Sequence, residues 1–182
     1  MKYKILPESE LSVISLRLEQ YDDIFSDFDI RPYSSRALSV DFIDEIKRAA
    51  VDKNDGGIEL ILYVPKNERN ESREAAIKER LVAHFRRHHH LLYQEKKKIM
   101  KLGLSMVVMG IFSMIAATFI IFKDPAQNIF LSFLVVFLEP AAWFLLWEGM
   151  DQVIFNSKNL NPDLEFYRKM SDPKGHIVFK SY

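Results

Sequence analysis

Two apolar runs set the limits on what this chain can fold into. LGLSMVVMGIFSMIAATFIIF fills residues 102–122, and IFLSFLVVFLEPAAWFLLW fills residues 129–147. Each is roughly 20 residues long, and a helix of that length matches the ~30 Å hydrocarbon core of a bilayer. The first run carries no charge and the second carries Glu139 alone. The KDPAQN segment between them, with Asp124, Pro125 and Asn128, reads as a polar turn. The pattern predicts a transmembrane α-helical hairpin over residues 101–148.

The hairpin leaves roughly 95 residues before it and 35 after it, enough for one small domain. Formal net charge is zero, so bulk charge points to no nucleic acid as partner. Cysteine is absent, which excludes a disulfide framework and a thiolate metal site. The opening MKYKILPESELSV lacks the apolar core of a signal peptide, so no cleaved leader is expected.

Charge is uneven along the chain. Arg86, Arg87, Lys96, Lys97, Lys98 and Lys101 crowd just before the first run. Lys158, Arg168, Lys169 and Lys174 follow the second, and the turn offers Lys123. The positive-inside rule then places both termini in the cytoplasm, and Trp143 and Trp147 sit toward that same interface. The basic crowd is expected to bind anionic headgroups, each residue worth roughly 1 kcal/mol near a charged leaflet. The alternative, a partner or nucleotide site, has no Gly-rich phosphate loop to go with it.

Taken in order, residues before Leu11, with Pro7, read as an irregular lead-in. Ser12 to Glu19 alternates, with Ile14, Leu16 and Leu18 on one face, and predicts a half-buried strand. YDDIFSDFDIRPYSSRAL has no period and reads as a structured loop. Its Asp22, Asp23, Asp27 and Asp29 lack the spacing and glycine of a calcium loop, and turn and cap roles are expected of them. Ser39 or Asp41 caps a helix to about Val51, with an apolar stripe of Phe42, Ile43, Ile46, Ala49 and Ala50. Asn54-Asp55-Gly56-Gly57 breaks it. Ile58 to Val64 is apolar on both faces, as a central strand would be.

From about Asn70 a long helix is expected, with Ile77, Leu81, Phe85, His88 and Leu92 as its buried stripe. No glycine or proline interrupts it before Gly103, so it can run into the first span. Beyond Trp147 the helix continues toward Phe155, Asp163 to Met170 makes a short helix, and Asp172-Pro173-Lys174-Gly175 makes a turn. Strand 176–181 should return to the N-terminal sheet, since a lone strand is not stable in water. The domains are thus 1–100, cytoplasmic α+β with a helical stalk; 101–148, the hairpin; and 149–182, a cytoplasmic C-terminal segment. The fold class is α+β, with a two- to three-stranded sheet interrupted by the hairpin.

The run FDIRPYSSRALSVDF resembles a pattern found in uncharacterised two-span bacterial membrane proteins, carried here by Phe28, Asp29, Pro32, Tyr33, Arg36 and Leu38. WFLLWEGMDQVIF, at the end of the second run, is similar to the Trp-containing segment of that group. The chain departs from the pattern in placing Pro140 inside the second run. The resemblance implies a multi-pass protein of the bacterial inner membrane and implies no activity.

Glu139 is the sharpest candidate for chemistry. A carboxylate near mid-bilayer costs a few kcal/mol even on the lenient insertion scale, so it has to be hydrogen-bonded or neutral. Pro140 leaves the Val136 carbonyl without its helical donor. Folding the chain about Ala126 sets Ser113 level with Glu139. Gly103, Gly110, Ser113 and Ala117 form a stripe of small residues that permits close helix packing, and Ser132, Glu139 and Ala142 are expected on the facing side. A hydrogen bond from Glu139 to Ser113 or a nearby carbonyl that fixes the hairpin is the first expectation. An oligomer contact and a proton or ion path are the others.

His88-His89-His90 does not converge on one ion, because consecutive helical residues diverge by about 100°. His84 and His88 share a face but lack a third ligand. No metal or cofactor is expected. Arg31, Tyr33 and Arg36 form a possible anion or partner site, although Arg36 is better read as pairing with Asp29 or capping the loop. No nucleophile, base and orienter can be grouped, so no enzyme is expected. The favoured function is a non-enzymatic membrane protein with a cytoplasmic interaction or sensing domain, forming a homo-oligomer or binding a protein partner. The second is an oligomeric channel or membrane-perturbing effector gated by that domain.

Overall fold

The computed structural model describes residues 12–51, 57–123, 128–172 and 176–182. The lead-in with Pro7, Asn54 to Gly56, the turn residues Asp124 to Gln127, and Pro173 to Gly175 lie outside the described residues. The fold is α+β. Strands β1 (Ser12–Arg17), β2 (Ile58–Val64) and β3 (Ile177–Ser181) form one sheet in the order β1-β2-β3, with both pairings parallel. Helix α1 is Val40–Ala50, α2 is Glu71–Lys123, α3 is Ile129–Asp151, α4 is Ser157–Asn159 and α5 is Asn161–Ser171. A π turn, Gln152–Asn156, joins α3 to α4.

Each strand follows from its pattern. β1 buries Ile14, half-buries Leu16 and exposes Val13, the alternation of a strand with one wet face. β2 buries Ile58, Leu60, Ile61, Leu62 and Val64, as the middle strand must. β3 returns from the far end of the chain to pair Leu60 with Ile177 and Leu62 with Phe179. Tyr182 extends that join, its backbone N–H reaching the Val64 carbonyl at 3.2 Å and its hydroxyl the Leu18 carbonyl at 3.2 Å. A parallel pair needs a crossover, and α1 lies on the first one. The parallel direction was not part of the sequence reading, because a period of two is the same in either direction.

Helix α1 starts at Ser39, whose Oγ accepts from the Phe42 N–H at 3.5 Å, and buries Phe42, Ile43, Ile46 and Ala50. On α2, Ile77, Leu81 and Phe85 are fully buried at steps of four. Phe85 sits edge-on to Phe166 of α5, with centroids 6.1 Å apart. Contacts divide the chain into two compact units: the residues up to His90 together with Asp163–Tyr182, and Leu91–Pro162. The C-terminal helix and strand therefore belong with the sheet, whereas the second unit holds both apolar runs. Of the stripe expected on α2, Ile77, Leu81 and Phe85 are buried, whereas His88 and Leu92 are half-buried.

A buried polar knot ties the start of α2 to the loop after β1. Glu74 and Tyr21 are both nearly inaccessible. The Tyr21 hydroxyl donates to Glu74 Oε1 at 2.8 Å and accepts from the Asn70 N–H at 2.9 Å, while Arg69 Nη2 donates to Glu74 Oε2 at 3.0 Å. Burial works to raise the Glu74 carboxyl, but the bonds from Arg69 and Tyr21 outweigh it and hold it below its ordinary value. Tyr21→Phe strips a partner from the buried Glu74 carboxylate and from the Asn70 N–H. It should cost about 1–3 kcal/mol in a denaturant titration with the backbone circular dichroism otherwise unchanged.

Two helical segments, Glu71–Lys123 and Ile129–Asn159, contain stretches long and apolar enough to cross a membrane. Only 11% and 6% of the residues in those stretches are buried inside the protein. The core helix of a water-soluble domain would bury its apolar face.

Candidate functional site

Three places carry the candidate residues: the loop between β1 and α1, the basic stretch of α2, and the packed pair α2–α3.

The loop is braced from within. Asp23 Oδ2 accepts from the Glu19 and Gln20 N–H groups at 2.7 and 3.1 Å, opening a short 3-10 helix, Tyr21–Ile24. Asp29 turns inward and accepts from the Ala37 N–H at 2.6 Å and from Arg31 Nε and Nη2 at 2.9 and 2.7 Å. The Arg31 guanidinium, joined by the Ala37 N–H, holds the Asp29 carboxyl well below the usual range. Asp22 takes Arg36 in an ion pair and accepts from the Tyr33 hydroxyl at 3.2 Å. Tyr33 stacks on Phe25 with centroids 5.1 Å apart, and Arg80 Nε of α2 donates to the Arg36 carbonyl at 2.9 Å. Turn and cap roles are therefore what Asp23 and Asp29 perform, whereas Asp22 bonds the side chains of Arg36 and Tyr33.

This bracing decides how Arg31, Tyr33 and Arg36 can act. The sequence reading had Arg36 pairing with Asp29 or capping the loop, and the second holds: its Nε and Nη2 donate to the Ser26 carbonyl at 3.3 and 3.1 Å. The structure pairs it with Asp22 and gives Asp29 to Arg31, two residues away and better placed for a fork-to-fork contact. Both guanidinium groups are thus bonded to carboxylates, and an anion would have to displace one of them. What the loop offers outward is apolar. With Asp29 turned in, its neighbours Phe28 and Ile30 are 99% and 98% exposed. Sequence reasoning missed them, since a stretch without a period does not reveal which way its side chains point. The available signal was the presence of two large apolar residues on either side of an aspartate that has to face inward.

On α2, Arg86, Arg87, Lys97, Lys98 and Lys101 are exposed, and Lys96 Nζ donates to Asn161 Oδ1 at 2.6 Å. At the helical step these cations cover a little more than half of the circumference of α2. Among the described residues no group of three His, Asp or Glu side chains is placed to hold a metal ion. His84 and His88 instead stack, with ring centroids 4.0 Å apart, and His88 lies flat against Tyr167 of α5 at 5.3 Å. Burial, then the nearby His88, Arg80 and Arg87, push His84 down to about 4.

That displacement has a stability consequence with a fixed sign. His84 stays neutral in the folded protein, whereas the unfolded chain takes up a proton at its ordinary value of 6.5. Stability is therefore lost progressively as pH falls from 6.5 toward 4. The loss should reach on the order of 2 kcal/mol after allowance for partial exposure. Denaturant midpoints at pH 7 and 4.5 should differ accordingly, and His84→Gln should remove most of the difference. The Glu74 contribution is present above its ordinary value of 4.5 and disappears only below it, so the two are separable by pH.

The α2–α3 pair is in contact along small residues. Gly103, Ala117, Ala142 and Gly149 are buried. A Cβ built on Gly103 would lie 2.7 Å from the Gly149 carbonyl oxygen, and one on Gly110 would lie 3.0 Å from that of Ala142. Gly103 opposite Gly149 and Gly110 opposite Ala142 is the register that sets Ser113 level with Glu139. Of the expected facing side, Ala142 is buried against Gly110, whereas Glu139 is exposed, as is Pro140. Ser113 Oγ donates to its own Met109 carbonyl at 2.9 Å. The expected Glu139–Ser113 bond is thus replaced by a local one. Ala142 and Gly149, seven apart like Gly103, Gly110 and Ala117, claim the inner face, and Glu139, three residues before Ala142, lies at its exposed edge. Ser132 is exposed with it.

No known protein family model matches the chain, and no curated protein or solved structure is detectably similar to it.

Proposed function

We propose that this is a non-enzymatic integral membrane protein of the bacterial inner membrane, with α2 and α3 crossing the bilayer as a hairpin and the sheet-containing unit in the cytoplasm as an interaction or sensing module. The observation that carries this reading is the mismatch between composition and burial. Two helical stretches of transmembrane length leave nearly all their apolar side chains on the outside. In water, such an apolar surface is far beyond what a soluble monomer exposes. In lipid it is the expected surface. Polar side chains within the first stretch support the same solvent: Ser105, Ser113 and Thr118 each donate to a carbonyl one turn back, so none needs water.

The basic stretch with Arg86, Arg87, Lys96, Lys97, Lys98 and Lys101 then lies at the cytoplasmic interface, against anionic headgroups. The interaction role rests on Phe28 and Ile30, two apolar side chains held outward on a braced loop, a pre-ordered contact that loses little entropy on binding. The acidic residues around them favour a basic, apolar-pocketed protein over an anionic lipid surface. Alkaline carbonate extraction of cell membranes tests the anchoring. The protein should remain with the lipid pellet, and release into the supernatant would overturn the reading.

A further inference from the structure

We infer that the outer face of α2, near its end at Lys123, seats an anionic phospholipid of the leaflet facing away from the cytoplasm, with an acyl chain in an apolar groove and the phosphate on the lysine. The inference rests on the membrane reading above. It adds a lipid site at the end of the first apolar run opposite Lys96 to Lys101.

The observation is a groove of about 510 Å³ lined by Met114, Ile115, Thr118, Phe119, Phe122 and Lys123. These residues recur at steps of one and three, so they share one side of α2. Ile115 and Phe119 each stand two residues from the buried Ala117, which turns them away from the line of small residues. Ile115, Phe119 and Phe122 are accordingly 58%, 64% and 90% exposed. Below the lysine the wall is apolar, because the Thr118 hydroxyl donates to the Met114 carbonyl at 2.9 Å. Sites that take small organic ligands have volumes of about 300–1,000 Å³. The solvent at this depth is hydrocarbon, so an acyl chain is what fills the groove.

Charge sets the headgroup. Lys123 is the only Lys or Arg from residue 102 to residue 157. The apolar run before it spans about 31 Å at the helical rise, which puts the lysine where the hydrocarbon ends and the phosphates begin. Its Nζ lies 5.7 Å from the centre of the Phe119 ring, and this cation–π contact holds the charge at the mouth of the groove. An apolar groove that ends at a cation is the complement of a phospholipid. A positive mouth favours one with net negative charge over a zwitterion, by about fivefold for a single lysine near the surface.

Brominated acyl chains quench a tryptophan that they touch, which makes the test local. Trp143 and Trp147 are replaced by Phe, and one tryptophan is introduced as Phe122→Trp, in the groove, or as Phe133→Trp. Phe133 is exposed and stands nine residues before Ala142, which sets it on the far side of α3. Each protein is reconstituted in vesicles of phosphatidylcholine and phosphatidylglycerol, with bromine on one lipid or the other. At Phe122→Trp phosphatidylglycerol should be favoured about fivefold, and Lys123→Gln, a change at an exposed residue, should bring that ratio close to one. At Phe133→Trp no preference is expected. Equal preference at the two positions, a preference that survives Lys123→Gln, or none at Phe122→Trp, as a lysine neutralised by Asp124 would give, overturns the inference. A protein that stays in the lipid pellet but gives one of those results loses only this site. Release by carbonate would instead remove the membrane reading beneath it.

Discussion

Phe85→Ala is expected to cost about 3–5 kcal/mol, as removal of a fully buried aromatic side chain usually does. A small domain holds only about 5–15 kcal/mol in total, so the variant should sit near the edge of folding. The reason for so large an effect is position. Phe85 is the last fully buried residue of the α2 stripe, and its ring meets Phe166 at 6.1 Å and Tyr167 at 6.3 Å. It therefore holds α5, and α5 leads directly into β3. Losing it loosens the junction through which the end of the chain rejoins the sheet. Limited proteolysis should cut the variant between α5 and β3 while the apolar pair α2–α3 stays protected by detergent. Phe85→Leu refills most of the volume and should lose less than half as much.

Gly103→Ala should destabilise the helix pair by about 1–3 kcal/mol, although alanine is the better helix former. The added methyl would lie 2.7 Å from the Gly149 carbonyl oxygen and 2.8 Å from Gln152 Cβ and Val153 Cγ2. The nearest of these is backbone, which cannot swing aside as a side chain can. Gly149→Ala meets the mirror obstacle, the Gly103 carbonyl oxygen at 2.7 Å, and should behave alike. Gly110→Ala first meets Leu146 Cγ at 2.9 Å, the branch point of a side chain with other rotamers, and should be milder. Unfolding by a graded increase of sodium dodecyl sulfate in mixed micelles measures all three. If Gly103→Ala were as stable as the parent, the close approach would not be a feature of the folded pair.

The sheet and the register of the helix pair were readable from the residues, and for physical reasons. IELILYV is apolar on both faces, and only a central strand can bury both. A strand at the end of the chain has to find a sheet, so HIVFKSY had one place to go. The register of the pair follows from a short turn, which leaves little freedom in how two helices align. Which face of α3 turns inward was harder. Ala142 was rightly expected on that face, but the costly Glu139 beside it is exposed, because packing of small residues sets the line of contact: Ala142 and Gly149 match Gly103 and Gly110 at the same spacing of seven. The loop was least readable. Arg36 is nearer in sequence to Asp29 than to Asp22 yet pairs with Asp22, a choice that depended on backbone geometry that composition does not encode.

The location of the chain is the claim on which the other readings depend, and impermeant thiol labelling of spheroplasts tests it most directly. Single cysteines replace Ser35, Lys123 or Ser181, all exposed in a protein that has no cysteine of its own. Lys123→Cys should react in intact spheroplasts, and Ser35→Cys and Ser181→Cys only after the membrane is opened. Labelling of Ser35→Cys or Ser181→Cys in intact spheroplasts would contradict a hairpin with both ends inside.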